Sequence, residues 1–234
     1  MGALNTPAAL LARLAALDSC ACSDAMDQLG LAGVAGGLRA LTVARRVTGP
    51  VVTVALGPAD AAATAGAAGT GPRHLGTAAI EAAQPGDVIV VAAGGRTDAA
   101  GWGGILSLAA TIRQISGVIV DGACRDVDEA TTLDLPVYAL AATPSTARGR
   151  QVEVAWNTPV QVAGITVHPG DLVIADRSGV VFLPLSHAAD VITTAERIAA
   201  REAAMASRIR AGDPPSQVMS ADYEELLKTV TDGS

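Results

Sequence analysis

Twice in this chain a Pro-Gly-Asp turn opens onto an aliphatic run: Pro85-Gly86-Asp87 before VIVVAA, and Pro169-Gly170-Asp171 before LVIADRSGVVFLP. A short apolar run launched from a turn reads as a buried strand. The second run contains Asp176-Arg177-Ser178-Gly179 and so reads as two strands around a tight turn. The two turns are the only internal echo, and they indicate shared turn chemistry, not a duplicated domain. The core that these strands join has to be aliphatic. Among 234 residues the aromatics are only Trp102, Trp156, Tyr138, Tyr223 and Phe182, while half of the chain is hydrophobic. At this length one substantial core is available.

Around these strands the pattern changes period. Leu10, Leu11, Leu14 and Leu17 predict a helix at the start of 8–30. A turn near Asp18–Ser23 leads to a second short helix, DAMDQLG, closed by Gly30. Residues 47–56 predict a strand, 57–71 an irregular segment with some helix, and 74–83 a short helix. Helices over 104–116 and 127–133 alternate with strands over 118–121 and 136–140, and two or three strands fill 149–167. Ser186 is the expected N-cap of a long amphipathic helix reaching Arg210, stopped by Gly212 and Pro214. The order implies an α/β fold with β/β/α layers, one domain over 1–234, and a terminal helix packed outside or against a neighbour.

Composition excludes several functions. A net charge of −7 and a pI near 4.9 argue against a nucleic-acid partner. No uninterrupted apolar run has the length of a membrane span, and Arg13 breaks the one apolar stretch that resembles a secretory signal. Three cysteines, an odd number, suit a reducing cytoplasm, and Cys20-x-Cys22 lacks the neighbours of a zinc site. Gly69-Thr70-Gly71 is not a dinucleotide fingerprint, and no phosphate loop ends in Gly-Lys. With no HExxH motif, His168 and His187 read as structural. The single lysine, Lys228, is badly placed for a Schiff base. Any carbanion chemistry here needs a metal or another electron sink.

The segment GWGGILSLAATIRQISGVIVDGACRD, residues 101–126, carries the chemistry. Gly101, Gly103 and Gly104 precede a helix, so the amides of Gly103, Gly104, Ile105 and Leu106 form an anion-binding start. One helix and one strand later, Asp121 ends the strand and Arg125 and Asp126 follow on a loop. If both ends reach the same sheet edge, a carboxylate receptor stands beside one hard-metal ligand, Asp126. A plainer reading competes: Asp126 as a helix N-cap with Glu129 as its capping-box partner, and Arg125 as a surface charge.

In the order SDAMDQLG, RVTGPVVTV, PGDVIVV, GWGGILSLAA, GVIVDGACRD and PGDLVIADRSGVVFLP, nearly the whole chain resembles the RraA-like family. That family contains 4-hydroxy-4-methyl-2-oxoglutarate aldolases, oxaloacetate decarboxylases and the regulator of ribonuclease E activity. The resemblance implies the family's swivelling-domain fold. It also implies a cytoplasmic lyase that cleaves a C–C bond in a 2-oxo acid to give pyruvate, with Mg2+ or Mn2+ as cofactor. Arg125 would bind the pyruvyl carboxylate, Asp126 would hold the metal, and the amides of 103–106 would complete the substrate site. The implied assembly is a homotrimer or a dimer of trimers. The family's older methyltransferase label finds no glycine motif to support it.

One departure stands out. Aldolase members carry Asp or Glu where this chain has Gly104, and Asp98 and Asp121 are the candidates to substitute. Glu202 falls in the apolar line Val191, Ala195, Ile198, Met205 and Ile209. The resemblance gives such a Glu a catalytic place at a neighbouring subunit's site, and the plain alternative is a salt bridge to Arg197 or Arg208. Arg73 and His74 are further substrate-contact candidates, with an ordinary loop position as the alternative. Two other functions remain: a non-catalytic protein-binding regulator of the ribonuclease type, and a lyase or isomerase for another hydroxy acid.

Overall fold

The computed structural model describes residues 8–61 and 75–219. In chain order, helices α1 (Ala8–Ala16) and α2 (Ser19–Gln28) lead into short strands β1 (Val34–Ala35) and β2 (Arg39–Ala40), then β3 (Val47–Pro58). Helix α3 (Thr77–Ala82), strand β4 (Val88–Trp102), helix α4 (Gly104–Ile112), strand β5 (Gly117–Cys124), helix α5 (Val127–Thr132) and strand β6 (Val137–Ala142) follow. Next come β7 (Gln151–Trp156), β8 (Val160–Val162), β9 (Ile165–Val167), β10 (Leu172–Ala175) and β11 (Val180–Leu183). Helices α6 (Ala188–Arg210) and α7 (Pro215–Val218) close the described chain.

Strands β3 to β6 are parallel neighbours at the centre of a mixed sheet. β10 and β11 extend it antiparallel beyond β3, with β1 and β2 at its edges. β7 pairs with the far end of β3, and β8 and β9 form a separate hairpin. Three apolar clusters give the layering: α3, α4 and α5 on one side of the parallel strands, the β8–β9 hairpin over another part of the sheet, and α1, α2 and α6 against β10 and β11. Among the described residues no helix is long and apolar enough to cross a membrane.

The two Pro-Gly-Asp turns do share their chemistry. Gly86 and Gly170 take φ of +92° and +88°, where a side chain would be strained. In each turn the Asp accepts the N–H of the residue three before it, Asp87 from Gln84 and Asp171 from His168, both at 2.8 Å.

Several elements depart from expectation. α2 begins at Ser19, because Asp18 caps it by accepting the Ala21 N–H at 2.8 Å. α4 ends at Ile112, short of 116. Ser186 is not the cap of the terminal helix. A 3-10 turn, Leu185–His187, comes first, and the Ser186 hydroxyl bonds to His187 Nδ1. The apolar line of α6 is buried only from Ala188 to Ile198, and Ile209 is 42% exposed.

The change that matters most is in β4. Its aliphatic run does not end at Ala93. Gly94 and Gly95, both at positive φ, kink the strand without stopping it. The register with β5 then shifts until Trp102 lies opposite Cys124. Gly122 permits this crossing, since a Cβ there would stand 2.8 Å from Ala93 Cβ.

Candidate functional site

Because β4 and β5 end level, the GWGG and CRD segments meet. Arg125 N–H donates to the Trp102 carbonyl at 3.0 Å. The Trp102 indole donates to Ser107 Oγ, and Ser107 Oγ donates to the Gly103 carbonyl, both at 3.0 Å, bracing the turn into α4. A Cβ on Gly103 would crowd Asp126 Oδ2 at 3.1 Å and Arg125 Nε at 3.2 Å. Glycine there lets both side chains lie across the start of the helix.

Asp126 does not form the capping box. It sits at the N-cap position of α5 in a left-handed conformation, φ 56° and ψ 41°, with no side-chain bond to that helix. A box-forming cap needs an extended backbone. Its carboxylate serves α4 instead: Oδ2 accepts the Gly104 N–H at 2.9 Å and Arg125 Nε at 3.2 Å. This takes one expected anion donor out of play. The amides of Ile105 and Leu106 keep no partner among the described residues, nor do the terminal nitrogens of Arg125.

These groups border a cavity of about 540 Å³, open at one side, whose far wall is the segment 146–152. The structure therefore brings together Gly103, Gly104, Ile105, Leu106, Arg125 and Asp126. Arg73 and His74 lie outside the described residues. Glu202 is exposed on α6, away from this cavity, and makes no hydrogen bond or ion pair among the described residues. Its anticipated partner Arg208 pairs with Asp213. Neither candidate for the missing acid lines the cavity. Asp98 is held by Arg96, whose hydrogen bond draws its carboxyl below the ordinary range, and Asp121 is buried within β5.

Nothing in the sequence singles out Gln151, which is 5% exposed in the far wall. Its Nε2 donates to the Ala99 carbonyl at 3.0 Å, and its Oε1 is buried without a partner. Cys124, beside Arg125, is no nucleophile: burial pushes its thiol up to about 11, and the Asp126 charge adds to that.

Among the described residues no three His, Cys, Asp or Glu side chains stand close enough to cage a metal. Asp126 Oδ1 nevertheless has no hydrogen-bond partner there, and Asp126 lines the open cavity. A carboxylate with room for water and substrate oxygens suits Mg2+ or Mn2+, which retain waters, better than a closed zinc site.

A family model described as RraA-like (Aldolase/RraA) matches residues 19–182. The chain belongs to the RraA-like family. It spans 34% of the length of DlpA from Legionella pneumophila, to which it is 27% identical over 92% of its own length. It spans 61% of an uncharacterized Methanocaldococcus jannaschii protein, at 32% identity over 55% of this chain. A Halalkalibacterium halodurans relative, provisionally named 4-hydroxy-4-methyl-2-oxoglutarate aldolase, is 31% identical over 75% of this chain and 76% of its own. The crystal structure of Streptomyces coelicolor RraAS2, described as an unusual member of the RNase ES inhibitor RraA family, superposes with a TM-score of 0.72. It is 28% identical and covers 87% of this chain and 97% of its own. The fold of this chain, a mixed sheet with a long C-terminal helix, is thus RraA-like.

Proposed function

We propose that this RraA-like protein is a divalent-metal-dependent lyase that breaks a C–C bond in a 2-oxo acid to release pyruvate. Its substrates would be a 4-hydroxy-4-methyl-2-oxoglutarate-type acid, oxaloacetate, or both. The observation that carries this reading is the Arg125–Asp126 pair lying across the start of α4 at the cavity edge.

The terminal nitrogens of Arg125 grip the substrate's 1-carboxylate as a fork. The Ile105 and Leu106 amides add two donors and the positive end of the helix dipole. Asp126 is oriented by Gly104 and Arg125 through Oδ2, which leaves Oδ1 to hold Mg2+ or Mn2+. When bound, the cation polarises the 2-keto oxygen and stabilises the charge that builds there, the part an imine plays in lysine enzymes. Both reactions break C3–C4. In retro-aldol cleavage the 4-hydroxyl gives up its proton and C4–O becomes a carbonyl; in decarboxylation C4 leaves as CO2. In each, the electron pair stays on C3 of the pyruvyl fragment, which takes up a proton.

We place this chemistry in a trimer-based assembly in the cytoplasm. Ile105, Leu108 and Ile112 form an exposed apolar line on α4 beside the cavity, with Ile105 77% exposed. Glu202 would then act at a neighbouring subunit. Sedimentation of the intact chain as a monomer would overturn the assembly.

The functional test measures pyruvate release from both acids with Mg2+, with Mn2+ and in excess EDTA. Release that stops in EDTA and returns with metal is expected. Full activity in EDTA removes the metal from the reading. No release from either acid under any condition turns the assignment to a protein-binding regulator, as in the inhibitor kinship of RraAS2.

A further inference from the structure

In a chain of net charge −7, the cavity beside α4 carries two arginines against one carboxylate. Its charged lining residues are Arg125, Asp126 and, in the far wall, Arg148. Arg125 already shares its Nε with Asp126. Two further arginines at this end of the sheet are also engaged: Arg96 with Asp98 and the Arg150 carbonyl, and Arg150 with the Thr146 carbonyl. The exposed Arg148 guanidinium makes no hydrogen bond or ion pair among the described residues; only its backbone N–H is bonded.

Backbone holds Arg148 at the cavity. The Arg150 and Gln151 N–H groups both donate to the Ala147 carbonyl at 2.8 Å, closing a turn with Arg148 at its second place and Gly149, φ +74°, at its third. That turn is pinned to the strands that carry the site. Ala100 N–H donates to the Ser145 carbonyl at 3.0 Å, Thr143 N–H to the Cys124 carbonyl at 2.9 Å, and Gln151 Nε2 to the Ala99 carbonyl at 3.0 Å. Thr146 also lines the cavity, and its Oγ1 accepts the Arg148 N–H at 3.3 Å, which leaves the hydroxyl proton uncommitted. A guanidinium without an acidic partner, on a braced turn in a cavity wall, is a receptor for an anion.

We propose that Arg148, helped by the Thr146 hydroxyl, is the subsite for a second carboxylate, across the cavity from the Arg125 anchor. The assignment deepens the lyase reading above, on which it rests, because it names the substrate class: 2-oxo dicarboxylates whose distal carboxylate survives the reaction. The two candidate acids differ here. In a 4-hydroxy-2-oxoglutarate-type acid the distal carboxylate stays on the departing fragment and keeps its charge throughout. In oxaloacetate it is itself the leaving CO2 and gives up its charge as the bond breaks. A grip on that carboxylate binds the ground state better than the transition state and slows its loss. Arg148 therefore favours retro-aldol cleavage over decarboxylation.

The test is calorimetric titration of the full chain, with Mn2+ present, against two ligands. One is 2-oxoglutarate, which lacks the 4-hydroxyl and so is not cleaved; the other is pyruvate, which has a single carboxylate. Arg148→Ala is expected to weaken 2-oxoglutarate binding about 10-fold, the low end for a charge-assisted hydrogen bond because the group is exposed. Pyruvate binding should stay at the wild-type value. Arg148→Lys, which keeps the charge and loses the fork, should fall between the two. Equal 2-oxoglutarate affinity in the wild type and Arg148→Ala would overturn the assignment and leave the lyase reading standing. So would a parallel loss for both ligands, which would place Arg148 at the Arg125 carboxylate or in the folding of its turn. A wild-type chain that binds neither ligand would overturn both.

Discussion

The starts of α2 and α4 are each met by a carboxylate from elsewhere in the chain, and they differ in what is left over. At α2, Asp176 from the β10–β11 turn accepts the Ser19 N–H at 2.8 Å on Oδ2, and the Ser19 hydroxyl at 2.7 Å and the Ser178 N–H at 2.9 Å on Oδ1. Burial pushes the Asp176 carboxyl up, but these three bonds outweigh it and hold it below the usual range. At α4, Asp126 uses one oxygen for two donors and leaves the other without a partner at the edge of a cavity. The same device fastens two layers at one place and presents an acceptor at the other. Spare lone pairs, not proximity to a helix dipole, separate the two roles.

Substitutions can break this contrast. Arg125→Ala or Asp126→Asn should lower pyruvate release by about 10³-fold or more, in line with loss of a preorganised charge contact at a reacting group. Thermal unfolding should change little. A large fall in melting temperature with activity retained would make the α4 carboxylate a fastener like Asp176.

Asp176→Ala should do the reverse. Loss of its three bonds is expected to cost about 2 kcal/mol, a low figure for charged hydrogen bonds because the group is partly exposed. Urea unfolding reads that loss, and the specific activity of the folded fraction should not move. Asp18→Ala, which removes only the local cap, should cost about 1 kcal/mol.

Acid sharpens the contrast further. A carboxyl held low in the folded state stabilises fully above its unfolded pKa, about 3.9, and loses that contribution as pH falls through the folded value. The stability gap between the wild type and Asp176→Ala should therefore be constant from pH 6 to pH 5 and close below about pH 4. A gap that persists at pH 2 would mean that packing, not charge, is what the substitution removed.

Much of the frame was readable because local chemistry encodes it. The Pro-Gly-Asp turns and the aliphatic strands after them follow from residues a few positions apart, and GWGG meets CRD because the two segments end neighbouring parallel strands. What misled were patterns whose partners are distant. Asp126 and Glu129 have the spacing of a capping box, yet the left-handed backbone at Asp126 sends its carboxylate to α4. Gly94-Gly95 looks like the end of a strand and acts as a kink. Gly104 reads as a missing acid, and only the folded chain shows the Glu129 side chain lying against it. Gln151 lay beyond sequence reasoning, since nothing in RGRQVEVAW marks a glutamine whose oxygen ends up alone.

The torsions at Asp126 also narrow what a lineage can sample there. Asn and Gly keep the left-handed loop while discarding the charge, whereas a β-branched residue would deform it. If the proposed activity holds, a descendant released from selection for it would drift first to Asn or Gly at this position with its architecture intact. On the proposed lyase reading, position 126 would sort working relatives from retired ones before any assay is run.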